Sequence, residues 1–328
     1  MKIYEINGKR YQLPNKLTDF QLKMYVHLIN WKWDHLTQEP GFNKHVSYDA
    51  SLPDELKAQY FQLYRPIKER LLDHQQKFPF KFHKFFWYMA SSQAACVNLF
   101  LPLLKDPDIA ATILGKVKTD IKEIATDFLD TGFRIEFWDE PDNLLNDHNK
   151  VSGTDADIAI AYYDHQGNIN LWLIEHKLTE TEFTTCGGSK SKGRTSSHVC
   201  APTSAILNNP DLCYYHSGRN FRYWDITLGD ASPFNANRIR EYNKCPFMGG
   251  MNQLWRNQLL ATSLESSTLP QWPYKKVYFS VVYHPGNNSL KPSISKYQEL
   301  IGFNDRFFAF SSDKLINRVK EINEPALS

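Results

Sequence analysis

The stretch that decides the fold is GTDADIAIAYYDHQGNINLWLIEHK, residues 153–177. Within it, two runs rich in Ile, Ala, Tyr, Leu and Trp cover residues 157–163 and 168–176. The residues between them, 164–167, are Asp-His-Gln-Gly, a turn-forming sequence that ends in glycine. Two apolar runs joined by a short turn of this kind predict a β-hairpin.

Three charged residues converge at one end of this predicted hairpin. Folding the chain about its turn places Asp157 opposite, or nearly opposite, Glu175. Because side chains alternate along a strand, Glu175 and Lys177 point to the same face. Like charges that face each other across a sheet are destabilising, so a pair of carboxylates here calls for a cation. A hard divalent cation with oxygen ligands, such as Mg²⁺, is the natural partner.

The setting of Glu175 supports that interpretation. The preceding residues, 171–174, are Leu-Trp-Leu-Ile, an unbroken apolar run that is typical of a strand covered on both faces. A charge that follows such a run is costly to bury without a partner. We therefore interpret Asp157, Glu175 and Lys177 as one active-site group.

An Asp followed by Glu-x-Lys on a hairpin resembles the signature of the PD-(D/E)XK nuclease superfamily, which has the restriction-endonuclease-like fold. The chain is similar to a group of bacterial PD-(D/E)XK nuclease-like proteins rather than to a named restriction enzyme. Ala156 stands where the motif has its Pro, and Asp155 is a rival for Asp157 that lies about one pair further from Glu175. The segments that carry the resemblance are SSQAACVNLFLPLL (91–104), TDADIAI (154–160), LIEHKLTE (173–180) and CPFMGGMNQLWRNQLLA (245–261).

The resemblance implies an α/β (α+β) fold whose core has the order αβββαβ, with a mixed central sheet flanked by helices. It implies a metal-dependent nuclease that hydrolyses phosphodiester bonds of DNA. In that function Asp157 and Glu175 bind Mg²⁺ or Mn²⁺, and Lys177 activates or orients the attacking water. The alternative is a catalytically inactive nucleic-acid-binding or scaffold protein that retains the fold. The sequence contains no G-x-S-x-G, P-loop or H-E-x-x-H motif that would indicate another hydrolase class.

The resemblance also assigns side chains outside the signature. Gln253 matches a Gln that nucleases of the superfamily often carry close to the metal site, and we expect it to contact the attacking water or a phosphate oxygen. Arg256 and Asn257 are candidates for contacting the nucleic-acid backbone. Two acids remain open as an extra metal contact: Glu123 and Glu136.

The composition indicates a folded domain with a sizeable core. Of 328 residues, 42% are apolar, and they include 21 Phe, 17 Tyr and 8 Trp. No apolar run approaches the ~20 residues that a membrane helix needs. Residues 1–14 contain no apolar segment typical of a secretory signal, and five cysteines without such a signal favour a reducing compartment. We therefore expect a cytoplasmic protein.

Basic residues are concentrated in two stretches although the net charge is only +2. Residues 184–256 contain nine Lys or Arg and four acids, and residues 65–84 contain six and two. A basic stretch beside a metal site is typical of a protein that binds a phosphodiester substrate, although many basic runs are only solvated surface. The candidate nucleic-acid contacts are Lys190, Lys192, Arg194 and Arg256.

Four cysteines fall in one polar, glycine- and serine-rich stretch: Cys186, Cys200, Cys213 and Cys245. They are candidate ligands of a structural Zn²⁺ or an iron–sulfur cluster, with His198 and His216 as alternative ligands. No C-x-x-C pair is present, so free thiols are the alternative. Cys96 lies in an apolar segment and is expected in the core.

The apolar spacing predicts a mostly helical N-terminal portion, residues 1–105. The resemblance implies that this portion packs on a nuclease-like core, residues 106–328, with an insertion at about 181–247. The predicted elements are a hairpin at 2–13, helices at 17–35, 53–75, 83–103, 107–130, 249–265 and 312–323, and strands at 133–138 and 276–283, besides the hairpin of 157–176.

Overall fold

A computed structural model describes residues 1–149, 152–190, 200–302 and 304–322. The strands are β1 Lys2–Ile6, β2 Lys9–Leu13, β3 Gly41–Asn43, β4 Val46–Tyr48, β5 Ile121–Ile124, β6 Phe133–Phe137, β7 Ala156–Asp164, β8 Ile169–Lys177, β9 Lys276–Tyr283 and β10 Phe307–Ser311. The helices are α1 Asp19–His35, α2 Asp54–Lys57, α3 Lys68–Lys77, α4 Ser92–Leu103, α5 Pro107–Leu114, α6 Leu129–Gly132, α7 Gly187–Lys190, α8 Thr203–Asn208, α9 Tyr214–Ser217, α10 Tyr223–Leu228, α11 Ala236–Arg240, α12 Asn252–Glu265, α13 Lys291–Leu300 and α14 Asp313–Ile322.

A six-stranded mixed sheet forms the centre of the molecule. Its order is β10-β9-β8-β7-β5, and β6 also pairs with β7. The β8–β9 and β9–β10 pairs are parallel, whereas β7 is antiparallel to β5, β6 and β8. Helices cover both faces, so the predicted α/β fold with a mixed central sheet flanked by helices is confirmed.

The alternation of side chains along β8 builds two separate apolar layers. Leu171 and Leu173 pack with α12, α13 and the helices that lie between β8 and α12. Trp172 and Ile174 point to the other face, where they pack with α4, α5 and α14. Trp172 is fully buried, and its indole N–H donates to Ser280 Oγ at 2.8 Å. The strand is therefore covered on both faces, as its unbroken apolar run indicates.

The first 35 residues fold as predicted. β1 and β2 form an antiparallel hairpin, and the turn residues Asn7 and Gly8 both have positive φ, as a type I′ turn requires. The predicted helix at 17–35 is α1. Its N-cap Thr18 exchanges hydrogen bonds with Gln21 in a capping box.

The predicted helix at 107–130 is wrong beyond Leu114. Within this range, the helices are α5 and the first residues of α6, and residues 121–124 form β5 at the edge of the sheet against β7. The pairing of β5 is irregular between Ile121 and Glu123, so Ile121 and Ile124 are both buried while the two residues between them are exposed. An irregular strand has thus produced the spacing of three residues that predicted a helix.

Two predicted N-terminal helices are shorter than expected. The helix predicted at 53–75 is divided into α2, a 3₁₀ turn and α3, because Tyr60 has positive φ and Pro66 cannot occupy the interior of a helix. The helix predicted at 83–103 begins only at Ser92, where Ser91 Oγ accepts a hydrogen bond from the backbone N–H of Ala94. Residues 78–91 therefore form an irregular segment.

Several elements carry no clear pattern in the sequence. β10, α13 and the short helices α7 to α11 were not predicted. They are short, or their apolar positions depend on contacts with distant residues. None of the described helices is long and apolar enough to cross a membrane.

We predict that Asp164→Ala destabilises the hairpin turn. The Asp164 carboxylate accepts hydrogen bonds from the backbone N–H groups of Gln166 and Asn168 and from the side chains of Asn168 and Asn170. Burial raises the pKa of Asp164, but these hydrogen bonds outweigh it and lower the pKa to about 2. Leaving these donors unpaired lowers the free energy of unfolding at pH 7 by about 1–3 kcal/mol, as measured by urea denaturation.

The same variant has an expected pH dependence. In the unfolded chain the pKa of an Asp is about 3.9, so the ionised carboxylate stabilises the fold above that pH. Its contribution is lost as the pH falls toward 2. The difference between wild type and Asp164→Ala should therefore shrink below pH 4, and a difference that stays constant down to pH 2 would contradict this assignment.

Candidate active site

The two carboxylates of the predicted signature face each other at one end of the hairpin. β7 pairs with β8 in a register that aligns Ile158 with Ile174. Continued by one residue beyond this last pair, the same register places Asp157 opposite Glu175, and the charge of Glu175 acts on Asp157. The Asp157 carboxylate also accepts a hydrogen bond from the backbone N–H of His176 at 2.6 Å, which fixes it against β8.

Glu175 is held by three side chains. It is 2% exposed. Its Oε1 lies 2.8 Å from Lys177 Nζ and accepts a hydrogen bond from Gln253 Nε2 at 2.7 Å. Its Oε2 accepts a hydrogen bond from Asn257 Nδ2 at 3.0 Å. Because a buried carboxylate is stable only when it is paired and hydrogen-bonded, these contacts fix both its charge and its orientation.

Gln253 and Asn257 reach Glu175 because they lie one helical turn apart on α12. Residues four apart share one face of a helix, and this face of α12 meets the end of β8. The rest of α12 packs into the apolar layer through residues such as Leu254 and Trp255. The helix thus presents two amides to the carboxylate while its apolar residues hold it on the sheet.

A third carboxylate, Glu136 on β6, approaches from the other side of Asp157. The register of β6 with β7 pairs Ile135 with Ile158 and Phe137 with Ala156, so Glu136 lies beside Asp157. Glu136 has a φ of 48°, a left-handed conformation that costs a non-glycine residue about 1–3 kcal/mol. Its side chain is hydrogen-bonded to Gln93 of α4.

The three carboxylates repel one another. Burial and the charges of Glu175 and Glu136 raise the pKa of Asp157 well above its usual range. Burial, followed by the charges of Asp155 and Glu175, raises the pKa of Glu136 to about 8, although the hydrogen bond from Gln93 and the charge of Lys177 oppose that rise. If all three carboxyls were ionised, their charge would exceed that of Lys177, and this repulsion together with burial favours the protonated forms of Asp157 and Glu136.

Lys177 is charged and almost buried. It is 7% exposed. Burial lowers its pKa, but the carboxylates of Glu175, Glu180 and Asp157 outweigh this and raise the pKa above its ordinary value. The carboxylate of Glu180, whose charge acts on Lys177, accepts hydrogen bonds from the backbone N–H groups of Leu178 and Thr179.

The donor set fits a small hard cation. Asp157, Glu175 and Glu136 offer only oxygen, and the amide Oε1 of Gln253 is buried beside them with no hydrogen-bond partner among the described residues. Among all the residues that the structure describes, no group of three or more His, Cys, Asp or Glu side chains is arranged to hold a metal ion by itself. Mg²⁺ needs no such cage, because it is usually bound through one or two carboxylates together with substrate phosphate and water.

Two of the alternative acids have other partners, although the charge of Asp155 also acts on Glu136. The carboxylate of Asp155, the rival of Asp157, lies 3.0 Å from Nε2 of His148 and does not pair with Lys177. Glu123 is exposed on β5 and pairs in register with Tyr163, near the turn end of the hairpin. Of the two acids open for an extra metal contact, only Glu136 is near the signature residues.

Of the four basic residues predicted to contact nucleic acid, only Arg256 has a side chain among the described residues. Arg256 donates to the backbone carbonyl of Gly153 and lies among Tyr223 and Asp147, so it braces the segment that leads into β7. Lys192 and Arg194 lie outside the described residues, as does His198. Lys190 ends α7, and its side chain is likewise outside the described part of the chain. Their contact with nucleic acid stays a prediction.

The four insertion cysteines lie near one another as free thiols. Burial raises the pKa of Cys245, and the charges of the other three cysteines raise it further. Backbone hydrogen bonds tie their segments together, for example from Cys186 N–H to Met248 O at 3.0 Å. His216, the alternative ligand, is instead hydrogen-bonded to Asp211 and Asp225. A Zn²⁺ or iron–sulfur cluster at these cysteines stays a prediction.

Two side chains at this site were not assigned to it from the sequence. Asn257 was interpreted as a contact to the nucleic-acid backbone, whereas it donates to Glu175. Gln93 lies in a segment that carries the family resemblance, but its link to Glu136 depends on how α4 packs on the sheet. The spacing of four residues between Gln253 and Asn257 is the signal in the sequence that could have identified Asn257 as part of the site.

The fold and this cluster define a restriction-endonuclease-like member of the PD-(D/E)XK class. The model of the REase-ARP family, described as restriction endonuclease associating with ARP, matches residues 26–324. Because the match covers nearly the whole chain, the protein belongs to this family, and the resemblance inferred from the sequence is confirmed. Neither curated proteins nor solved structures gave a match.

We predict that Asn257→Ala destabilises the protein by about 1–3 kcal/mol, because it leaves a buried carboxylate oxygen without its donor. Asn252→Ala is the matched control. Asn252 lies on the same helix and is 2% exposed, and its Nδ2 has no hydrogen-bond partner in the described part of the chain. Urea denaturation of both variants should show the larger loss for Asn257→Ala, and equal losses would show that the amide of Asn257 does not support Glu175.

Proposed function

We propose that this protein is a divalent-metal-dependent nuclease that hydrolyses phosphodiester bonds of DNA. The observation that carries the proposal is the buried arrangement of Glu175 beside Lys177 and opposite Asp157. Membership of a restriction-endonuclease-like family supports nuclease activity in general. The all-oxygen cluster, whose carboxyls Lys177 alone would not neutralise if all were ionised, supports the requirement for Mg²⁺ or Mn²⁺.

Asp157 and Glu175 would hold the cation, with Glu136 as a third oxygen donor close by. When bound, the cation supplies polarisation of the scissile phosphate and a bound water of lowered pKa. The protein supplies fixed positions. Asn257 and Gln253 orient Glu175, and the free Oε1 of Gln253 offers an acceptor for a water at the reacting phosphate.

Lys177 carries positive charge into this acidic cluster. It is fixed by Glu175, so its ammonium group is available without reorganisation to stabilise charge on a phosphate oxygen and to orient the attacking water. Interactions that are fixed in advance of the reaction contribute most to catalysis. Asp157 and Glu175 would therefore bind the cation, and Lys177 would stabilise the negative charge on the phosphate.

We predict that the wild-type protein cleaves plasmid DNA with Mg²⁺ or Mn²⁺ and not with EDTA. Asp157→Asn, which keeps the shape of the side chain, and Lys177→Met should each lower the cleavage rate by about 100-fold or more. Glu123→Gln removes an exposed acid on the same sheet at the opposite end of the hairpin and should leave the rate unchanged. The measurement is the rate of conversion of supercoiled to nicked and linear plasmid.

Two results would contradict the proposal. Cleavage by Asp157→Asn at the wild-type rate would remove Asp157 from the site. The absence of cleavage by correctly folded wild type, on DNA and RNA and with either cation, would favour a protein that retains the fold without the activity. Circular dichroism of each variant should confirm that the fold is intact.

A further inference from the structure

A loop beside the acidic cluster combines basic and aromatic side chains. We call residues 77–85, Lys-Phe-Pro-Phe-Lys-Phe-His-Lys-Phe, the basic aromatic loop. No Asp or Glu occurs between Asp73 and Asp106, so the loop and the helix that follows it contain no acid. The loop connects α3 to the turns that precede α4.

The loop is joined to the cluster by a chain of hydrogen bonds. The backbone N–H of His83 donates to Gln93 Oε1 at 2.9 Å, and the side chain of Gln93 is hydrogen-bonded to Glu136. Partial desolvation and the charges of Lys84 and Lys177 lower the pKa of His83, whereas Glu180 raises it, so the ring lies within electrostatic reach of the residues around Lys177. The tip of the loop therefore stands next to the proposed site of cleavage.

The inner aromatic side chains anchor the loop. Phe82 packs on Phe86, with ring centroids 4.3 Å apart, and on Tyr60, with centroids 5.7 Å apart. Phe86 is fully buried in the apolar layer beneath α4. Because these contacts fix one side of the loop, its other side is presented in a defined position.

The outer side of the loop is exposed. Lys81, Lys84 and His83 are exposed, and Phe85 retains 37% of its accessible surface. Lys84 Nζ lies 4.7 Å from the centroid of the Phe85 ring. A single exposed phenylalanine needs no explanation. Phe85 is exposed, follows Lys84 directly and lies four residues after Lys81, on a loop that is anchored on its inner side and lies beside the acidic cluster. These features have the chemistry of a single-strand binding surface, where bases stack on aromatic rings and lysines contact phosphates.

We propose that the basic aromatic loop binds unpaired nucleotides next to the bond that is cut, with one base stacked on Phe85 and phosphates contacted by Lys81 and Lys84. The proposal rests on the proposed function and narrows it to substrates that have unpaired bases at the site. Every base can stack on an aromatic ring, so this surface would distinguish unpaired from paired nucleotides but would not recognise a particular base sequence.

The test measures binding without cleavage. The wild-type chain is titrated in EDTA against a dye-labelled 20-nucleotide single strand and against the duplex of the same sequence, with fluorescence anisotropy as the readout. We expect tighter binding of the single strand. Phe85→Ala and Phe85→Leu should each weaken binding by roughly 5- to 100-fold, the range for loss of one base stack, whereas Phe85→Trp should retain it.

The lysines are tested by the salt dependence of binding. Lys81→Ala combined with Lys84→Ala should lower the slope of log K against log salt by about 1.4, because each phosphate contact on a single strand contributes about 0.7. The matched control is Lys116→Ala combined with Lys122→Ala. These two exposed lysines line a cavity with His165 at the turn end of the hairpin, roughly 25 Å along the strands from the cluster. The control should keep the wild-type slope.

The outcomes separate this inference from the nuclease activity. If wild type binds nucleic acid but the Phe85 and lysine variants bind like wild type, the loop is not the binding surface, and the nuclease proposal is unaffected. Tighter binding of the duplex, or no binding to either oligonucleotide in EDTA, would also overturn the role of the loop. Cleavage of both supercoiled plasmid and circular single-stranded DNA judges the nuclease function separately, because selectivity for unpaired bases cannot abolish cleavage of the single-stranded circle.

Discussion

The structure depends on how it accommodates the electrostatic repulsion between the carboxylates of Asp157 and Glu175. These side chains lie opposite each other where β7 begins and β8 ends. Two carboxylates in this position are destabilising by themselves. The chain opposes the repulsion with the ammonium group of Lys177, with two amides from α12 and with the backbone N–H of His176. These groups orient the carboxylates but would not balance their charge if all were ionised, and a divalent cation would supply the missing positive charge.

The rest of the fold serves to bring these groups to one end of the sheet. β8 is parallel to β9 and antiparallel to β7, so it lies between two long strands and is covered by helices on both faces. One face receives α12, which supplies Gln253 and Asn257. From the other side, α4 supplies Gln93 to Glu136. The cluster is thus reached by helices from both apolar layers, and each helix is held by its own layer.

The hairpin and its charged end could be predicted from the sequence, because they depend on local pattern. A turn sequence between two apolar runs fixes the register, and the register fixes which residues face each other. β5 was mistaken for a helix because an irregularity in its pairing buries residues three apart. Gln93 could not be assigned to the cluster, because its partner is 43 positions away along the chain and only packing brings them together. Asn257 lies 82 positions from Glu175, and its four-residue spacing from Gln253 was the one local signal for it.

The central claim is that Asp157 and Glu175 share one divalent cation. Anomalous diffraction at the manganese edge, from crystals soaked in Mn²⁺, tests it most directly. The account predicts an anomalous peak about 2.0–2.3 Å from a carboxylate oxygen of each residue. Diffraction in which the two carboxylates are ordered and no peak lies between them would contradict it.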